Sequence, residues 1–204
     1  MADESYAGIQ AFADGASEYG QIAFIVRSIL GRNATATLVQ VKAVTNTGAV
    51  APVGLIDVQP MVAQLDGKGQ PTPHGIIHNV PYLRIQGGLN AVIIDPVVGD
   101  IGIAVFGSHD LSSVKANKAP SNPGSRRRFD MADALYIGGV LNATPTRYIQ
   151  FDADGNVTIK PAAMVTILGD LVVTGGDVTA DGVSLKTHVH SGVTTGGGDT
   201  GPPA

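Results

Sequence analysis

The apolar positions of the chain follow three successive patterns. Residues Ala16 to Leu30 place Tyr19, Ile22, Ala23, Val26, Ile29 and Leu30 at helical spacing, with Ser17 as N-cap and Gly31 as stop, which predicts one amphipathic helix. From Thr35 the period shortens to two. Thr35 to Val44, Val53 to Leu65, Gly75 to Ile85, Ala91 to Ile94 and Ile101 to Phe106 read as strands. Five short β-segments within about 75 residues, separated by Gly, Pro and Asn turns, predict a small barrel or sandwich, and the count fits a five-stranded OB-type barrel. His109 to Phe129 then loses all periodicity and collects Ser, Asn, Pro and basic residues, the composition of a long surface loop.

The third pattern starts near Tyr148. Short motifs recur (NVTI, MVTI, LVVT, DVTA, GVSL, HVHS) whose central valines are Val157, Val165, Val172, Val178, Val183 and Val189, at spacings of 8, 7, 6, 5 and 6 residues. Gly and Asp turns separate them. A quasi-repeat of very short strands is the sign of a β-solenoid or β-helix. Strands of four residues with one inward apolar side chain bury little area and leave every edge open, so one chain alone is a poor folding unit. Three copies wound together pair every edge and bring the valines onto a common axis. A homotrimer is therefore expected.

Composition sharpens the division. The chain of 204 residues has 44% hydrophobic and 15% charged residues, 27 Gly, 12 Pro, no Cys and no Trp. A disordered charged tail is excluded, as are disulfides, thiolate metal sites and Cys nucleophiles. Residues 152–204 contain no Phe or Tyr and carry two basic against six acidic residues, which accounts for the whole formal charge of −4. An acidic, aromatic-free segment lacks both the phosphate-neutralising charge and the stacking surfaces of a nucleic-acid binder, so no nucleic-acid partner is expected. The acidic first twenty residues lack the pattern of a secretory signal, and a soluble, cytoplasmic product is the expectation.

The candidate chemistry lies in the histidines. His188 and His190 are two apart, so on a strand both side chains leave the same face while Val189 leaves the other. Around a threefold axis the pair becomes six imidazoles in two stacked triangles, an octahedral cage. Imidazole suits Fe, Ni, Cu or Zn, and six nitrogens disfavour Zn, leaving iron as the first choice in a closed, structural site. His74 and His78 have the i, i+4 spacing of helical metal ligands, but Pro71, Pro73 and Gly75 argue against a helix there. Ser108, His109 and Asp110 supply the residue types of a hydrolase triad, yet chain neighbours cannot take its mutual geometry. Arg126, Arg127 and Arg128 read as a solvated loop cluster. Asp170, Asp177 and Asp181 have the oxygen chemistry for Ca²⁺ on a trimer axis, although turn formation alone explains them. No enzyme is expected.

The end of the chain, GVSLKTHVHSGVTTGGGDTGPP from Gly182 to Pro203, resembles the C-terminal apex of the central spike proteins of contractile-tailed bacteriophages. The match comprises the β-helical repeat, the His-x-His pair, then Gly192, Gly196–Gly198, Thr200, Gly201 and Pro202. Upstream, GDIGIAVFGSHDLSSVK from Gly99 and SNPGSRRRFDMADALYIGG from Ser121 look like the barrel and following segment of the same spikes. Behind the arm and helix that periodicity places over 1–31, the resemblance implies a mainly β homotrimer: an OB-type barrel over 32–115, a loop-rich connector over 116–147, a triple-stranded β-helix over 148–187 and a metal-capped apex over 188–204. It implies one iron ion per trimer held by His188 and His190 of each chain, baseplate hub or tube proteins as partners, and a place at the virion tail tip. The implied function is mechanical, the piercing of the host outer membrane on sheath contraction. A trimeric receptor- or glycan-binding tail fibre is the alternative, and it calls for exposed aromatics that 152–204 lacks.

Overall fold

The structure is a computed structural model that describes residue 15, residues 17–31 and 33–189, and residues 192 and 196. It divides into two units, Met1–Thr144 and Pro145–Ala204.

In the first unit the expected helix forms as α1, Glu18–Leu30, with the Ser17 hydroxyl accepting from the Gly20 N–H at 3.1 Å and Gly31 as C-cap. Its seam residues Tyr19, Ile22, Val26 and Ile29 are all exposed. The strands follow in chain order: β1 Ala36–Val44, β2 Leu55–Pro60, β3 Gln64–Leu65, β4 Pro71–Thr72, β5 Ile77–Pro81, β6 Ile85–Gly87, β7 Asn90–Val92, β8 Ile101–Phe106 and β9 Ala134–Gly139. Five of them build one antiparallel sheet in the order β5-β2-β1-β8-β9, while β3-β4 and β6-β7 are separate two-stranded ribbons.

Period-two burial makes the core. Val39 and Val41 of β1, Ile56 and Val58 of β2, Val80 of β5, Ala104 of β8, and Ala134 and Tyr136 of β9 point to one side and are buried together with Tyr82. The sheet curls until its edges meet. A parallel bridge joins Tyr82 to Tyr136, and the Leu83 N–H donates to the Tyr136 carbonyl at 2.7 Å. The result is a curled half-barrel sheet. The Tyr136 ring lies flat against Gly102 of β8, where any Cβ would collide with the ring and with the Gly138 carbonyl.

Two expectations change here. Strand β9 lies inside the stretch 116–147 expected as a connector, because Ala134 and Tyr136 complete the core. The stretch 109–129 is not uniformly loop: α2, Ser112–Asn117, forms within it.

In the second unit β10, Tyr148–Phe151, and β11, Val157–Lys160, make an antiparallel hairpin with Ile149 opposite Ile159 and Phe151 opposite Val157. Its tight turn is closed by the Asp152 carboxylate, which accepts from the Asp154 and Asn156 N–H groups at 3.0 and 2.8 Å. Further on, β12 Thr179–Ala180 pairs with β13 Val183–Ser184. Residues 161–178, which include the MVTI and LVVT motifs, form no strand within this chain. A β-ladder needs a neighbouring strand, and the same chain supplies none there. No residue from 145 to 189 is buried, and only Tyr148, Asp152 and Ser184 are even half-buried.

Candidate functional site at the C-terminal apex

The apex is built from a short turn that begins at β13. The Ser184 hydroxyl accepts from the Lys186 N–H at 3.1 Å, the Thr187 N–H at 2.9 Å and the Thr187 hydroxyl at 2.9 Å. Serine does this readily because its short side chain mimics a backbone carbonyl. The turn is fastened upstream by Asp177, whose Oδ1 accepts from the Val178 N–H at 2.8 Å and the Lys186 N–H at 3.2 Å. The Ser184 hydroxyl is the largest influence holding the Asp177 carboxyl below its ordinary range, ahead of those two N–H groups.

The Ser184 carbonyl then takes two hydrogen bonds that help fix His188. The His188 N–H donates to it at 3.2 Å, and ring Nδ1 lies 2.9 Å from it. A carbonyl oxygen only accepts, so in this bond Nδ1 is the donor, and the other ring nitrogen, Nε2, is the one a metal would take. Metal-binding histidines are held this way, with the second ring nitrogen donating to a backbone carbonyl or carboxylate. The residue therefore fits the expected role as an imidazole ligand. His190 lies outside the described residues. Among the described residues no group of three His, Cys, Asp or Glu side chains could hold a metal within one chain.

Residues 182–204 match the family described as the GpV Apex motif. The chain carries the apex of a phage central spike of the GpV type. No curated protein matches the chain. That match, confined to residues 182–204, supports a structural protein of the phage virion of the spike or needle-tip kind.

The other sequence candidates separate. His74 and His78 do not meet as a metal pair: His74 Nδ1 accepts from Gln64 Nε2 at 3.1 Å, whereas His78 Nδ1 lies 2.7 Å from Asp57 Oδ2. The Ser108 hydroxyl sits 2.9 Å from His109 Nδ1, but His109 Nε2 faces Arg128 Nη2 at 3.1 Å rather than Asp110. Of the three arginines, Arg127 is no solvated loop residue. Its Nε and Nη2 fork onto the Asp133 carboxylate at 2.8 and 2.9 Å, and Nη2 lies 3.1 Å from Asp110 Oδ1. Short-range composition gave no hint of these partners, because folding brings them together.

A second buried charge cluster braces the other side of the sheet. Arg84 pairs with Asp95 and reaches the Ala51 carbonyl, while the Tyr82 hydroxyl donates to Asp95 Oδ1 at 2.6 Å. Burial alone would raise the Asp95 carboxyl, yet the bonds from Tyr82, Arg84 and the Gly48 N–H hold it below its usual range. Asp177, read from sequence as a Ca²⁺ candidate, has Oδ1 engaged by two backbone N–H groups, which is the work of a turn.

Proposed function

We propose that the chain is the trimeric central spike at the tip of a contractile phage tail, and that it pierces the host outer membrane when the sheath contracts. One observation carries the reading. Fifteen large apolar side chains between Ile149 and Val189 stand exposed in the single chain, although they recur with β-spacing. Burial of such a side chain stabilises by roughly 1.5–3 kcal/mol, and a lone chain forgoes that at every position. Two further copies cover them. Residues 161–178, strandless alone, then find ladder partners in neighbouring chains and form a triple-stranded β-helix.

The barrel supports the same reading. Counting its strands β1, β2, β5, β8 and β9 as first to fifth, the order around the curled sheet is 1-2-3-5-4, with the third strand's continuation parallel to the fifth at Tyr82 and Tyr136. That order supports reading the curled sheet as an OB-type barrel, in this proposal a scaffold that seats the spike on hub or tube proteins of the baseplate. Each chain contributes two histidines at its end, so a six-nitrogen site needs all three chains. His188 and His190 would hold one iron ion, which ties together chain ends that otherwise fray. The role is mechanical, and no step of it requires catalysis.

Light scattering on the full chain tests the assembly, with a trimer expected; a stable monomer refutes the intertwined shaft. Elemental analysis of the His188→Ala, His190→Ala double variant tests the metal, with iron lost and the barrel still folded. Undiminished iron in that variant refutes the histidine site.

A further inference from the structure

We infer that Ser184 is the positioning residue of the apex metal site, aiming His188 Nε2 at the metal through a turn that its hydroxyl holds shut. The inference rests on the histidine site proposed above and adds to it a residue that never touches the ion. Three donors converge on the Ser184 hydroxyl: the N–H groups of Lys186 and Thr187 and the Thr187 hydroxyl, at 3.1, 2.9 and 2.9 Å. Those bonds wind residues 184–188 into a turn that brings His188 back over the carbonyl of the same serine. That carbonyl accepts from the His188 N–H at 3.2 Å and meets ring Nδ1 at 2.9 Å.

The two halves of one residue thus do different things. Its hydroxyl fixes the path of the backbone, and its carbonyl fixes the tautomer and rotation of the ring. Asp177 anchors the far side of the turn through the Lys186 N–H. Ser184 is also half-buried, whereas the residues from Lys160 to Gly182 are exposed. A group that hydrogen-bonds a metal ligand directly changes metal affinity by about 10–100-fold when removed. The Ser184 carbonyl is that group, and the hydroxyl holds the turn that presents it, so loss of the hydroxyl belongs at the lower end of that range.

The test uses the full-length trimer stripped of metal and titrated with Fe(II), as wild type, Ser184→Ala and Ser184→Thr. Ser184→Ala should bind Fe(II) about 10-fold more weakly, and Ser184→Thr, which keeps the hydroxyl, should recover the wild-type affinity. Equal affinity in wild type and Ser184→Ala overturns the inference while leaving the histidine site standing. A wild-type trimer that takes up no Fe(II) overturns the histidine site itself, and the inference falls with it. Should Ser184→Ala fail to assemble, the ¹⁵N shifts of the His188 ring in the metal-free wild-type trimer decide: a proton on Nδ1 is expected, and a proton on Nε2 overturns the inference.

Discussion

Arg127 reaches forward six residues along the chain to grip Asp133 through two hydrogen bonds, Nε to Oδ2 at 2.8 Å and Nη2 to Oδ1 at 2.9 Å. The carboxylate it grips is buried at the start of β9, where the Leu111 N–H also donates to Oδ1 at 2.9 Å. The pair therefore pins the loop 107–130 to the last strand of the sheet. Removing the cation leaves buried carboxylates without their partner, which typically costs about 3–5 kcal/mol; the Arg127 side chain is one-third exposed, so water softens the loss toward the lower end, about 3 kcal/mol. Arg127→Ala should lower the urea midpoint of the first unit accordingly, followed by the fluorescence of the core tyrosines Tyr82 and Tyr136. A shift below about 0.5 kcal/mol, the range of ordinary surface substitutions, would show the fork to be ornamental.

The same carboxylates set the acid limit of the barrel. Hydrogen bonds from Ser112 and Ser125 hold Asp110 well below the usual carboxylate range, and Arg127 does the same for Asp133. Asp95 is also lowered. A depressed folded-state pKa gives stability that is fully present above the unfolded value, near ~3.9, and is lost as pH falls from there through the folded value. Stability at fixed urea should therefore stay level from neutral pH down to about 4 and fall steeply below it. Near-ultraviolet circular dichroism against pH checks this. A decline already complete above pH ~5 would point to the histidines instead.

Gly102 and Tyr136 are a matched pair. A methyl at Gly102 would meet the tyrosine ring and the Gly138 carbonyl at once, and the Tyr136 side chain is buried in the core, on a strand whose backbone is bridged to Tyr82. Gly102→Ala should destabilise the first unit by about 1–3 kcal/mol, the usual cost of overpacking. Thermal unfolding measures it, and Gly67→Ala, where a Cβ meets nothing within 4 Å, serves as the control.

The sequence exposed some of these features and hid others for physical reasons. Helix α1 was legible because its period, Ser17 cap and Gly31 stop agree. Strands β1 and β8 were legible from alternation. Strand β9 was not, since Leu135 and Ile137 on its outer face are as apolar as Ala134 and Tyr136 on its inner one, which erases the period-two signal. Arg127 looked like loop charge because Asp110 and Asp133 become its neighbours only in the fold. The apex was legible in its His-x-His pair, whereas Ser184 gave only the weak cue of a small hydroxyl residue four before a histidine. Repeats that read as strands at Val165 and Val172 pair with nothing in one chain, because no other stretch of the same chain lies beside them to complete a ladder.

The hairpin β10–β11 offers the sharpest discrimination between a lone chain and an assembly. Its register puts Ile149, Phe151, Val157 and Ile159 on one face, opposite the face where Lys160 Nζ sits 5.7 Å from the Tyr148 ring centroid. Phe151 is 78% exposed in the single chain. For a monomer, Phe151→Ala is then a surface change worth within about ±0.5 kcal/mol. For an intertwined trimer the same ring is core, its removal costs about 3–5 kcal/mol per chain, and the loss is counted three times at one level of the shaft. Phe151→Ala should therefore leave the first unit folded, as read from amide hydrogen exchange of its buried strands β1 and β2, while driving the trimer toward monomer in light scattering at low micromolar concentration. Ile149→Ala, on the same face, should act in the same direction with a smaller effect, and Gln150→Ala, on the opposite face, should do nothing. Equal and negligible effects at all three positions would mean that this face meets solvent in the assembled protein, and the shaft would have to be built around some other surface.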